Sequence, residues 1–186
     1  MDRRQRKTRE AIFNAFIELL SKKSASSITV GEIIEKADIG RATFYSHFET
    51  KDHLLSEMCD ELFCHIFDSM DDRHGDHKHI FDCDAPSSVY LHLFRHLQKN
   101  DNHILELLCD EQNEVFLRYF KKGLLKLAGS TIGEHPEILG SVPKDYFANI
   151  IAATFIETVR WWVKDKMRGS PEEITGYFLV AIGLNK

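Results

Sequence analysis

The sequence predicts an all-α protein, with an N-terminal three-helix unit built around a helix-turn-helix and a helical C-terminal domain. Apolar residues recur at spacings of three and four along most of the chain, the period of a helix with one buried face. Only four Pro and ten Gly interrupt the 186 residues. Polar capping patterns recur where apolar periodicity begins. With 43 % hydrophobic residues the chain can bury a core, which sets it apart from disordered sequences.

The first helix is expected over residues 4–22, with Ile12, Phe16 and Leu19 on one face and Phe13 and Leu20 beside them. The run Ser24-Ala25-Ser26-Ser27 ends it. Thr29-Val30-Gly31-Glu32 is a capping-box pattern, and Val30, Ile33, Ile34 and Ala37 follow at i, i+3, i+4, i+7, so a short helix is expected over 29–36. A tight turn, Asp38-Ile39-Gly40, leads to Arg41-Ala42-Thr43-Phe44-Tyr45-Ser46-His47-Phe48. Thr50 can cap a fourth helix over 50–70, carrying Leu55, Met58, Leu62 and Ile66. The Asp- and His-rich stretch 71–85 reads as a loop, and helices are expected at 86–99, 103–110 and 112–131. Gly133, Pro136, Gly140 and Pro143 mark 132–143 as a linker before a long helix over 143–168. Gly169 stops that helix. Ser170-Pro171-Glu172-Glu173 starts the last, with Ser at the N-cap, Pro at N1 and Glu at N3, and Ile174, Phe178, Ala181 and Ile182 form its apolar stripe.

Two short helices joined by a tight turn make a helix-turn-helix, whose second helix enters the major groove of DNA. The residue types support that use. Phe44 and Phe48, four apart, can face the core, leaving Arg41, Thr43, Tyr45 and His47 as donors and flat polar side chains on the other faces. Net charge is −5, but it is unevenly spread. Residues 1–55 hold ten Lys/Arg against eight Asp/Glu, net +2; residues 56–186 hold fourteen against twenty-one, net −7. Arg3, Arg4, Arg6, Lys7 and Arg9 face only Asp2, a basic arm suited to a polyanion or a solvated helix start. Lys51 sits in the first turn of the fourth helix, where the dipole disfavours a cation; a bound phosphate would explain it.

The run Thr29-Val30…Ile33…Ala37-Asp38-Ile39-Gly40-Arg41-Ala42-Thr43-Phe44-Tyr45-Ser46-His47-Phe48…Lys51…Leu54-Leu55 resembles the DNA-binding domain of the tetracycline-repressor (TetR) family over about residues 8–58. The resemblance implies a two-domain regulator of transcription with about nine helices: a helix-turn-helix domain over 1–50 and a ligand-binding and dimerisation domain over 51–186. It implies that Arg41 and Thr43 reach bases or nearby phosphates beside Ala42. Tyr45, His47, Lys51, Thr29 and the arm residues Arg3, Arg4 and Arg6 would hold the phosphate backbone. Asp38 stands where the family has a turn glycine, and Asp tolerates the left-handed backbone. Gly40 replaces the usual Ser cap, a loss of only a few tenths of a kcal/mol.

The resemblance further implies a homodimer in which the last two helices pair with their symmetry mates. Independently, Phe147, Ile150, Ile151, Phe155, Ile156, Val159, Trp162 and Val163 are apolar around the whole helix, as a helix buried on two sides requires. The expected interface is Phe147, Ile151, Trp162, Ile174, Phe178 and Ile182. Phe63, Phe67, Phe94, Phe116, Tyr119, Phe120 and Phe155 are candidates to line a pocket for a small apolar effector, with Tyr119, Arg118 or His96 as polar anchors. The acidic body favours a cationic effector. Its binding would change the spacing of the two reading helices and release a pseudo-palindromic operator. The alternative is a C-terminal domain that docks a protein partner instead.

No cofactor or metal is expected. His74-Gly75-Asp76-His77-Lys78-His79 and the pair His92 and His96 are read as a solvated loop and an exposed helix face, although both have metal-binding spacing. Cys59, Cys64 and Cys109 are read as buried apolar residues; with Cys83 they show no CxxC spacing. No nucleophile elbow, phosphate loop or HExxH points to an enzyme. The charged N-terminus reads as lacking a signal peptide, and Glu157 and Arg160 interrupt the most apolar stretch, 147–163. No membrane span and a cytoplasmic location are therefore expected.

Overall fold

The computed structural model describes residues 3–68, 88–99, 103–109 and 113–184. The His-rich stretch 74–79, Cys83 and the outer ends of several expected helices lie outside the described residues. Among those described are nine α-helices and no strand: α1 (Arg3–Leu20), α2 (Val30–Lys36), α3 (Arg41–His47), α4 (Lys51–Asp68), α5 (Val89–Lys99), α6 (Ile104–Cys109), α7 (Glu114–Glu134), α8 (Lys144–Lys164) and α9 (Pro171–Ala181). The all-α reading therefore holds.

Local chemistry sets most boundaries. Thr29 and Glu32 form the expected capping box at α2, and Ser170 and Glu173 form the one at α9. The Thr50 hydroxyl accepts the His53 amide at 3.0 Å, capping α4. The expected linker 132–143 is shorter than it reads, because α7 runs to Glu134 and a 3-10 turn covers Pro136–Leu139. The long helix stops at Lys164, ahead of the expected end. Lys166 (φ 59°), Met167 (φ 55°) and Gly169 (φ 86°) take left-handed backbone there, and the Trp162 indole N–H donates to the Arg168 carbonyl at 2.9 Å. A buried side chain thus anchors a turn that propensity alone would place later.

One core runs through the chain. Around α1–α3 it is built on Ile12, Phe13, Phe16, Ile33, Phe44 and Phe48. Around α4, α5 and α7–α9 it is aromatic: Phe94 stacks on Phe155 at 4.6 Å, Tyr90 meets Phe178 at 4.7 Å, and Phe63 meets Phe120 at 5.2 Å. The Tyr90 hydroxyl donates to Thr131 Oγ1 at 2.8 Å, so the buried phenol keeps a partner.

Gly123 makes the contact between α4 and α7 possible. A Cβ at this position would lie 2.2 Å from the Phe63 ring. Gly123→Ala is therefore expected to destabilise the protein by about 1–3 kcal/mol, because a ring 5 % exposed has little room to retreat. Urea unfolding tests this; an unchanged midpoint would mean that the two helices separate at no cost.

Candidate nucleic-acid interface

The helix-turn-helix is assembled from below. Phe44 and Phe48 are both fully buried, 5.9 Å apart, and Phe48 meets Phe13 of α1 edge-on at 5.5 Å. Asp38 takes φ 51°, the left-handed turn residue expected between α2 and α3. The Ile39 amide donates to the Ile34 carbonyl at 3.2 Å and closes α2. Gly40 caps α3 without a side-chain bond.

With Phe44 and Phe48 turned inward, the outer face of α3 carries Arg41, Ala42 and Tyr45, all exposed, with Thr43 and His47 half-buried. Tyr45 is 47 % exposed although its ring rests edge-on against Phe44 at 5.5 Å, so it is held out rather than loose. Thr29, exposed at the start of α2, spends its hydroxyl in the capping box. Lys23, with the Thr29 amide and hydroxyl, holds the Glu32 carboxyl down at about 2. Arg3, Arg4 and Arg6 are exposed on the first turns of α1, and Arg6 lies 3.6 Å from Glu10.

Two cations are used differently from expectation. Arg9 does not belong to a free arm. Its guanidinium pairs with Glu57 and, at 3.4 Å, with Glu61, and lies over the rings of Phe13 and Phe48 at 5.1 and 5.2 Å. It ties α1 to α4. The spacing Arg9 to Phe13, i to i+4, was the signal available in the sequence. Lys51 donates its ammonium to the carbonyls of Ala25 (2.8 Å), Ile28 (2.9 Å) and Ser26 (3.4 Å). The cation at the start of α4 is thereby explained without a phosphate, and its burial lowers its pKa. Lys51→Met is expected to destabilise the DNA-free protein by about 1–3 kcal/mol, since carbonyls at a half-buried turn lose a charged donor. A lysine serving only as a phosphate contact would leave the melting temperature unchanged.

Most of the expected effector and interface residues are buried within the single chain. Phe94, Phe116, Phe120 and Phe155 are at most 1 % exposed and pack on one another, with Phe63 against Phe120. Phe67 is half-buried beneath the Lys126 ammonium at 4.4 Å, and Tyr119 is half-buried beside Arg118. These rings form packed core, not an open lining. A groove of about 590 Å³ lies between α7 and α8 instead, open to solvent and lined by Leu117, Arg118, Lys121, Leu125, Ile156 and Arg160, among others.

Of the expected interface residues, Ile151, Trp162, Ile174, Phe178 and Ile182 are at most 3 % exposed within the single chain, and Phe147 is half-buried. A side chain already enclosed by its own protomer has no surface to offer a second. The exposed large apolar residues on these helices are Tyr146, Ile150 and Trp161 of α8 and Tyr177 and Val180 of α9, with Trp161 and Tyr177 in edge contact at 6.2 Å. Both helices thus carry an inner, buried apolar stripe and an outer, exposed one.

His92 and His96 are buried, not on an exposed face. Cys59 is buried as expected, whereas Cys64 and Cys109 are exposed. No helix among the described residues is long and apolar enough to cross a membrane.

Comparison with known proteins is consistent with this geometry. The family model "Bacterial regulatory proteins, tetR family" matches residues 12–58, and "Transcriptional regulator C-terminal region" of the same family matches 84–182. A TetR transcriptional regulator from Streptococcus agalactiae 2603V is 32 % identical and superposes with a TM-score of 0.70, covering 97 % of this chain and 96 % of that one. The uncharacterized HTH-type transcriptional regulator YxbF of Bacillus subtilis is 41 % identical over 71 residues, which are 36 % of this chain and 19 % of that protein. The dhaKLM operon transcriptional activator DhaS of Lactococcus lactis is 31 % identical over 68 residues, 37 % of this chain and 36 % of its own. The chain thus matches only about a fifth to a third of these two curated relatives.

Proposed function

Given that the chain belongs to the TetR family of DNA-binding transcriptional regulators, we propose that it is a homodimeric repressor of a pseudo-palindromic operator, released by a ligand of its C-terminal domain. The observation that carries the DNA reading is α3. Arg41, Ala42 and Tyr45 stand exposed, with Thr43 and His47 partly so, over the buried pair Phe44 and Phe48. Arg41 and Thr43 are assigned to base edges; Tyr45, His47, Thr29, Arg3, Arg4 and Arg6 are assigned to phosphates. Two copies related by a two-fold axis present two reading helices to half-sites about one helical turn apart.

Selection from random duplexes should return an inverted repeat. On that sequence Arg41→Ala is expected to lose about 1–3 kcal/mol of specific binding, the range for a bidentate base contact. Removing residues 3–7 should weaken binding to all sequences and flatten its salt dependence, because fewer counterions are released. If Arg41→Ala folds and binds the selected operator as tightly as the parent, the reading role of α3 fails.

The outer stripe of α8 and α9 supports the dimer. Tyr146, Ile150, Trp161, Tyr177 and Val180 place five large apolar side chains on adjacent helices, more than scattered surface residues account for. For the effector, the groove between α7 and α8 carries Arg118, Lys121, Lys122 and Arg160 against Glu114 and Glu157. That balance suits an anionic amphipath, not the cationic compound that the overall acidity suggests. A protein partner in place of a small molecule is the second reading, favoured by the tight aromatic packing where a pocket was expected. Ligand screening by thermal shift, followed by operator titration, separates the two: an effector raises the melting temperature and weakens DNA binding.

A further inference from the structure

We propose that His65 of α4 and His92 and His96 of α5 form a binding site for one divalent metal ion of the zinc class, clamping the two helices together. The candidate ligand atoms of the three side chains all lie within 4.8 Å of one another. Nitrogens sharing one tetrahedral zinc at its usual bond lengths stand about 3.3 Å apart. The Nε2 atoms of His92 and His96 are 3.2 Å apart and share a hydrogen bond, whose proton a metal ion would replace at nearly the same spacing. The three ring centroids form a triangle 4.9 Å on each side, so His65 needs only a small closing movement to complete the set.

Apolar packing alone does not call for histidine at these positions. His92 is fully buried and His96 is 3 % exposed, on a helix whose other buried residues are Tyr90, Leu93, Phe94 and Leu97. Leucine at either position would bury apolar surface without desolvating two ring nitrogens. Instead two imidazoles one helical turn apart on α5 meet a third from α4, a His-x3-His chelate with a third ligand from another element.

Three imidazoles without a thiolate suit zinc and the later first-row divalent ions more than calcium or magnesium. His65 is half-buried, which leaves the cluster reachable from the surface. A water or an anionic ligand would take the fourth position.

The test uses the untagged full chain, stripped with chelator and titrated with Co(II), whose ligand-field absorption reports tetrahedral coordination. One Co(II) per chain is expected to bind, to be displaced by Zn(II), and to raise the melting temperature. His65→Ala, at the half-buried position, should keep the helical circular dichroism while weakening Co(II) binding more than about tenfold, as should His92→Gln. A variant with His74, His77 and His79 replaced by Ala should bind like the parent. The proposal is overturned by absence of saturable Co(II) binding, by unchanged binding in folded His65→Ala, or by loss of binding in the triple variant alone.

Discussion

Replacing Tyr177 and Val180 together by glutamate is expected to yield a folded monomer that no longer holds its operator. The two side chains are 57 % and 60 % exposed on α9, beside Trp161 at 50 %. In the single chain, charges here meet water and leave the core untouched. In a two-fold dimer the same four carboxylates would be pressed into an apolar contact without partners, and unpaired buried charge is among the most costly substitutions. Loss of the dimer converts a two-site attachment into separate weak ones, a loss of roughly 10²–10⁴-fold in operator affinity. Sedimentation velocity and operator titration measure the two effects. A double variant that stays dimeric removes this face from the interface. Phe178→Glu, suggested by the sequence stripe alone, would not test the same idea. Phe178 is fully buried against Tyr90, Phe94 and Phe155, so a carboxylate there unfolds the chain before any dimer is at issue.

Phe155→Ala is expected to destabilise the protein by about 3–5 kcal/mol, the range for truncating a buried aromatic. Phe155 is fully buried on α8, and its ring meets Phe94 at 4.6 Å, Phe178 at 5.5 Å, Tyr90 at 6.2 Å and Phe120 at 6.4 Å. Rings from α5, α7 and α9 all pack against it. For a chain of this size such a loss lowers the melting temperature by about 6–20 °C. A phenylalanine that merely lined a ligand pocket would be missed far less, because part of its surface would already face a void. Differential scanning calorimetry separates the cases. A shift below about 2 °C would restore Phe155 as a pocket residue.

The features legible in advance share a local cause. The capping boxes at Thr29 and Ser170, the left-handed Asp38 and the inward pair Phe44 and Phe48 depend on residues within a few positions of one another. So does the outward set Arg41, Ala42 and Tyr45, because turning Phe44 and Phe48 inward leaves the rest of a seven-residue helix outside. The features misread depend on distant partners. Lys51 serves the carbonyls of Ala25, Ser26 and Ile28, and Arg9 serves Glu57 and Glu61.

By itself, then, the sequence determined the helices, most of their starts and the face of α3 that meets solvent. Periodicity and capping act over one or two turns. Tertiary structure alone decided which of two apolar stripes on α8 and α9 faces inward, that the expected pocket rings fill one another's space, and that His65 meets His92 and His96. A helix apolar on two sides satisfies the hydrophobic effect in either orientation. Only the shape of the neighbouring helices, such as the gap that Gly123 leaves for Phe63, selects one.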